Sequence, residues 1–162
     1  MTTEEITGWL QGRLPKDWYG AVTVTVDRDE IVVTGPLADT EGVSDTAAEE
    51  GRIARFREQT RVERIRIAQE AEGRFGRTIA WGATVGGTTQ LFTSLSVPVM
   101  TRLRQPERVV LDTLVDAGVA RSRSHALAWC VRLVGQHSED WLAQLRTALE
   151  QVQEVRERGP AA

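Results

Sequence analysis

Residues 97–134 read VPVMTRLRQPERVVLDTLVDAGVARSRSHALAWCVRLV, and this stretch decides the fold. It opens on an alternation, Val97, Val99, Thr101 and Leu103, which gives an apolar edge at the two-residue period of a strand. A helix is expected from about Pro106, because proline lacks an N–H that would find no partner in the first turn anyway. Val110, Leu111, Leu114 and Val115 form its apolar face, and Gly118 suits the left-handed residue past its end. Ser122 then caps a second helix, whose apolar face carries Ala126, Leu127, Cys130, Val131 and Val134. One strand and two short helices bury too little apolar area to offset chain entropy, and a lone strand has no ladder partner. A second copy supplies both, so this segment predicts a dimer.

The order and spacing resemble the ribbon-helix-helix (Arc/MetJ-like) family over about residues 96–135. The carrying elements are Arg102-Leu103 at the strand end, Pro106-Glu107 opening the first helix, Leu111-Asp112 within it, and Gly118-Val119-Ala120-Arg121-Ser122-Arg123-Ser124 leading into the second. The resemblance implies a homodimer on double-stranded DNA, with a two-stranded ribbon in the major groove and a phosphate at the start of helix two. It implies that Val97, Val99, Thr101 and Leu103 face inward, leaving Pro98, Met100 and Arg102 outward. Of these Arg102 is the strong base reader, since a guanidinium grips guanine through two hydrogen bonds. Met100 offers a thymine methyl an apolar contact, while Arg104, Arg121, Ser122, Arg123 and Ser124 make a phosphate clamp. An outward Pro98 and Met100 depart from the polar outer strand usual in the family.

Around this segment the chain predicts an α+β protein: a small N-terminal α-β-β-α-β domain over 1–90, then 91–162 with the module and a C-terminal helix. Thr2 with Glu5 predicts a capped helix over 3–12. Residues 21–26 and 31–34 alternate as strands around the charged turn 27–30, and 37–50 reads as a mobile acidic connection. One long helix is expected over 46–74, opened by Thr46 with Glu49, covered on two sides and closed at Gly73 and Gly76. A third strand spans 78–85, and Gly86-Gly87 marks a flexible boundary near 86–94. An amphipathic helix over 138–158 carries Trp141, Leu142, Leu145, Ala148, Leu149, Val152 and Val155. Its stripe is broader than a two-residue coiled-coil seam, which favours a brace for the first domain over an addition to the dimer.

The net charge of -3 hides a local asymmetry. Residues 1–96 hold 11 basic and 15 acidic side chains, whereas 97–135 hold six arginines against Glu107, Asp112 and Asp116. The basic excess thus sits on the segment that resembles a DNA-binding module. Arg57, Arg61 and Arg64 share one side of the 46–74 helix and could grip a nucleic-acid backbone. The expected reading is instead an exposed surface paired with Glu49, Glu50, Glu58, Glu63, Glu70 and Glu72. His125 and His137 lack companions at ligand spacing, so neither metal nor cofactor is predicted, and His125 reads as a surface residue. No nucleophile elbow or phosphate loop occurs, so no enzyme is expected. The single cysteine and the lack of a long apolar run or leader predict a bacterial cytoplasmic, nucleoid-associated protein with no membrane partner. Two other readings stand beside a transcriptional regulator. One is an interaction protein that uses the module only to dimerise and docks a partner, such as transcription machinery, through its N-terminal domain. The other is an antitoxin-like protein.

Overall fold

The computed structural model describes residues 2–38, 40 and 45–159. It is an α+β protein that divides into two compact units, 1–99 and 100–162. Residues 39 and 41–44 of the 37–50 connection expected to be mobile lie outside the described residues, and 46–50 are helical rather than part of a connection.

The first unit holds α1 (Thr3–Arg13), β1 (Thr23–Val26), β2 (Glu30–Thr34), α2 (Thr46–Gln59), α3 (Arg61–Phe75), β3 (Thr78–Val85) and β4 (Thr88–Leu91). The capping box at Thr2 and Glu5 is present, and both arms of it close. The strands form one sheet in chain order. β1–β2 and β3–β4 pair antiparallel, while β2–β3 pair parallel across the helical crossover. The second strand of that parallel pair, β3, is buried along most of its length, as a strand inside a sheet should be. Gly82 lies in its middle, where a Cβ would press on Leu91, Thr34 and the carbonyl of Gln90, so only glycine fits without displacement.

Three expectations for this unit are corrected. The single helix over 46–74 is two helices, because Thr60 breaks it. Thr60 Oγ1 donates back to the Phe56 carbonyl and accepts from Arg64 Nε at 3.0 Å, while Arg64 Nη2 takes the Arg57 carbonyl at 2.6 Å. Back-bonding of this kind competes with the helical ladder and bends the chain. The cap is Asp45 rather than Thr46: its carboxylate accepts from the Ala48 N–H, and Glu49 turns elsewhere. Gly86-Gly87 is not a flexible boundary but the two-residue turn of the β3–β4 hairpin, with Gly86 at φ +55°. The Glu49 carboxylate holds that turn through the Gly87 N–H and the Thr88 hydroxyl. The unit is therefore α-β-β-α-α-β-β, and it runs past residue 90, since Phe92 is buried in its core.

That core joins Ile6, Leu10, Ile31, Val33, Ile53 and Ile67 with an aromatic group of Trp18, Tyr19, Phe56, Trp81 and Phe92. Arg13 ties α1 to α3 by pairing with Glu63 and Glu70. Only one face of α3 is covered, as Val62 and Ile65 remain exposed.

The second unit holds α4 (Gln105–Asp116), α5 (Arg123–His137) and α6 (Glu139–Arg158). The expected boundaries hold: Pro106 lies in the first turn of α4, Gly118 has φ +75°, and Ser122 caps α5. Among the described residues its buried apolar side chains are only Leu111, Ala120 and Ala126, joined by partly buried Leu103, Leu114, Val115, Leu127 and Cys130. Among the described residues, 93–104 contain no strand. Within one chain Val97, Val99 and Thr101 face solvent rather than inward, Val99 at 86% exposure, and only Leu103 reaches the small core. An extended segment without a ladder partner has nothing to hold it as a strand.

Candidate nucleic-acid interface

Met100, Arg102 and Arg104 lie on the extended lead-in to α4, and all three side chains are exposed, Met100 at 95%. Arg104 is the N-cap of α4 but makes no capping hydrogen bond with its side chain. Arg108, one turn later, donates to the Leu103 carbonyl at 2.8 Å and fixes the lead-in to the helix.

Residues 121–124 gather at the start of α5. Ser122 Oγ accepts from the His125 N–H, and the Ala126 N–H bonds the Ser122 carbonyl. The N–H groups of Arg123 and Ser124 are left at the open helix end, where a helix binds anions most readily. His125 is more than a surface residue. Its Nδ1 accepts from the Arg121 N–H at 3.3 Å, one residue before the N-cap, while Ser122 Oγ takes the His125 N–H, so the two side chains together hold the turn. The signal lay in the spacing Ser-x-x-His, with histidine at the third helical position where glutamate usually answers the N-cap.

Arg123 departs from the expected phosphate clamp. Its Nε and Nη2 donate to both oxygens of Asp112, at 2.6 and 2.7 Å, and pin α5 to α4. The guanidinium holds the Asp112 carboxyl below the usual carboxylate range. By sign, the link is complete above the ordinary aspartate pKa and is lost as pH falls through the lowered one. Both side chains are exposed, so the pair positions the helices more than it stabilises them. Arg102, Arg104 and Arg121 carry no side-chain partner among the described residues, leaving them as free cations along the lead-in and beside the α5 start.

The arginines of the first unit are arranged differently from the expected mixed-charge surface. Glu63 pairs with Arg66 and Arg13, Glu70 pairs with Arg13, and Glu49 serves the hairpin turn. None of Arg57, Arg61 and Arg64 is in an ion pair among the described residues. Arg64 is buried as the plug of the Thr60 bend, and its guanidinium lies 4.9 Å from the Phe92 ring centre with that of Arg57 at 5.8 Å.

Fold and site together define a two-unit α+β protein. A compact sheet unit is accompanied by a helical unit whose helix start is open to anions and whose core is too small for its apolar surface. The chain belongs to the Rv1265-like family: residues 4–91 match the Rv1265-like protein N-terminal domain, and 104–156 match the Mb1296 C-terminal domain. It is 59% identical over 155 residues to protein Rv1265 of Mycobacterium tuberculosis and to protein Mb1296 of Mycobacterium bovis, both described as uncharacterized. The match covers 94% of this chain and 69% of either relative. No solved structure matches the chain. Neither family description names an activity, so the functional reading rests on the residues.

Proposed function

We propose that the chain is a homodimeric DNA-binding protein, a transcriptional regulator by role, built on a ribbon-helix-helix module. The observation that carries this reading is the start of α5. A Ser122-capped helix presents open N–H groups beside Arg121, on a segment that holds six arginines against three acidic residues. The lead-in 97–103 becomes a two-stranded antiparallel ribbon with the same segment of a second copy. Its apolar edge then closes over the small core that Leu103 already touches, and Val110 of α4, exposed in the single chain, comes to lie in the shared interior. Arg102 reads bases from the outer edge, Arg104 and Arg121 hold phosphates, and Arg123 acts by holding α5 against α4.

The second reading, a dimerisation core that docks a protein partner through the first unit, is favoured by one observation. Met100 is almost wholly exposed on the edge that should read DNA and has no hydrogen bond to offer. Selection of binding sites from random duplexes separates the two. Wild type should return a motif, and Arg102→Ala should lose most of its discrimination, since a good bidentate contact is worth about 1–3 kcal/mol against the wrong base. Met100→Ala should soften preference only at thymine positions. An equally sharp motif from Arg102→Ala would place the reader elsewhere, and no enrichment by wild type would favour the docking reading.

A further inference from the structure

Arg64 is a buried charge that the sheet unit does not balance. It is 7% exposed, and a guanidinium keeps its proton at neutral pH. Buried arginines are as a rule paired with a carboxylate, because an isolated charge taken out of water is costly. Here the guanidinium bonds two neutral oxygens instead, Thr60 Oγ1 and the Arg57 carbonyl, and lies against the Phe92 ring. Its Nη1 has no partner among the described residues, and no buried side-chain nitrogen or oxygen there is left without one. That edge of the group therefore opens to the surface. The surroundings add positive charge. Arg57 lies over the same ring, 5.8 Å from its centre, and Arg61 is the first residue of α3. Both side chains are exposed, and neither is in an ion pair among the described residues. Burial lowers the Arg64 pKa, Tyr19 opposes that, and the charges of Arg57 and Arg61 lower it further. Tyr19 brings no negative charge at neutral pH, because burial raises its own pKa and its hydroxyl donates to the Gly82 carbonyl. The nearby acids of α3 are occupied elsewhere, Glu63 by Arg13 and Arg66, and Glu70 by Arg13.

We propose that Arg57, Arg61 and Arg64 form a binding site for a terminal phosphate group, free or as the end of a phosphorylated small molecule. Arg64 is the fixed element: Thr60, the Arg57 carbonyl and Phe92 hold its guanidinium before any ligand arrives, so little side-chain freedom is lost when its open edge is used. Arg57 and Arg61 close over the anion from the exposed side. Three guanidinium groups suit an anion with three terminal oxygens and close to two negative charges, which a phosphate monoester or the end of a pyrophosphate provides. A carboxylate or a phosphodiester brings one charge and two free oxygens, and leaves cationic charge over. The site lies wholly within the sheet unit and is independent of the DNA contact at the start of α5.

Titration of the full chain with inorganic phosphate and with pyrophosphate at constant ionic strength, followed by nitrogen–proton NMR, tests it. The Arg64 Nε–Hε signal and the amides of residues 57–64 should shift saturably, while chloride at the same ionic strength moves neither. Tighter binding of pyrophosphate would assign a phosphorylated molecule as the ligand, and tighter binding of phosphate the free ion. Arg61→Ala removes an exposed side chain without an ion pair, so the melting temperature without anion should not change. The same variant should bind pyrophosphate about tenfold more weakly, as the loss of one charged hydrogen bond requires. Arg104→Ala with Arg121→Ala should leave the phosphate shifts as they are, and Arg61→Ala should bind duplex as wild type does. The absence of a saturable shift, or a shift that survives Arg61→Ala at full affinity, overturns the proposal. Equal weakening of duplex and pyrophosphate binding by Arg61→Ala would make the cluster a nucleic-acid backbone contact and overturn it as well. A wild-type chain that shows the phosphate shifts but binds no duplex would leave this site standing and remove the DNA reading.

Discussion

Replacing Arg104 and Arg121 together by alanine should weaken binding to every duplex by a similar factor, whatever its sequence. Both side chains are exposed and free of partners among the described residues, so their loss disturbs nothing inside the module. A dimer would lose four phosphate contacts, and hydrogen bonds to charged groups are worth about 1.5–3 kcal/mol each. Screening by salt reduces that, so at low salt the loss should be at least about a hundredfold. The slope of log affinity against log salt should shrink by about one for each contact removed. Arg123→Ala should behave differently: it breaks the link to Asp112, so its effect should include looser placement of the α5 start on α4, seen as faster amide exchange there without DNA. Fluorescence anisotropy on two unrelated duplexes checks both statements. A loss confined to one duplex would mean that Arg104 or Arg121 reads sequence.

The second large effect concerns the helical unit itself. Leu111 is the one long side chain among the unit's three buried apolar residues that the structure describes. Leu111→Asp places a carboxylate in the apolar centre of the unit, at a cost of several kcal/mol, which exceeds what so small a core can supply. The unit should unfold and the dimer dissociate, while the sheet unit, with a separate core around Ile31, Ile53 and Ile67, keeps its structure. Amide hydrogen exchange should show loss of protection over 105–158 and retention in β2 and β3. Protected helices in the variant would mean that the helical unit draws its stability from outside the Leu111 core.

How much of this was legible in the sequence depended on how local the cause was. The caps at Thr2 and Ser122, the proline in the first turn of α4, and Gly76 and Gly118 were readable because each acts on residues within one turn. The break at Thr60 was harder, since a threonine inside a strong helical pattern gives no sign that its hydroxyl will turn back on Phe56 while Arg64 fills the gap. β4 is not legible because Gly86-Gly87 reads as slack as readily as a hairpin turn, and because the partner that holds it, Glu49, is 38 residues away from Gly87. In the candidate site, the sequence placed Arg121–Ser124 at a helix start, but it could not separate the arginine that is free from the one that Asp112 occupies. That distinction depends on how α4 packs against α5. The ribbon is the extreme case, because its pairing needs a second molecule and no single chain can display it.

Whether the chain is a DNA-binding dimer is decided by titrating the unmodified full chain into a random-sequence duplex over a range of salt concentrations, with the mass of the complex followed by light scattering. Two copies should bind each duplex, with log affinity falling linearly as log salt rises, as release of counterions from several phosphates requires. A chain that binds no duplex at low salt, or that binds as a monomer, would contradict it.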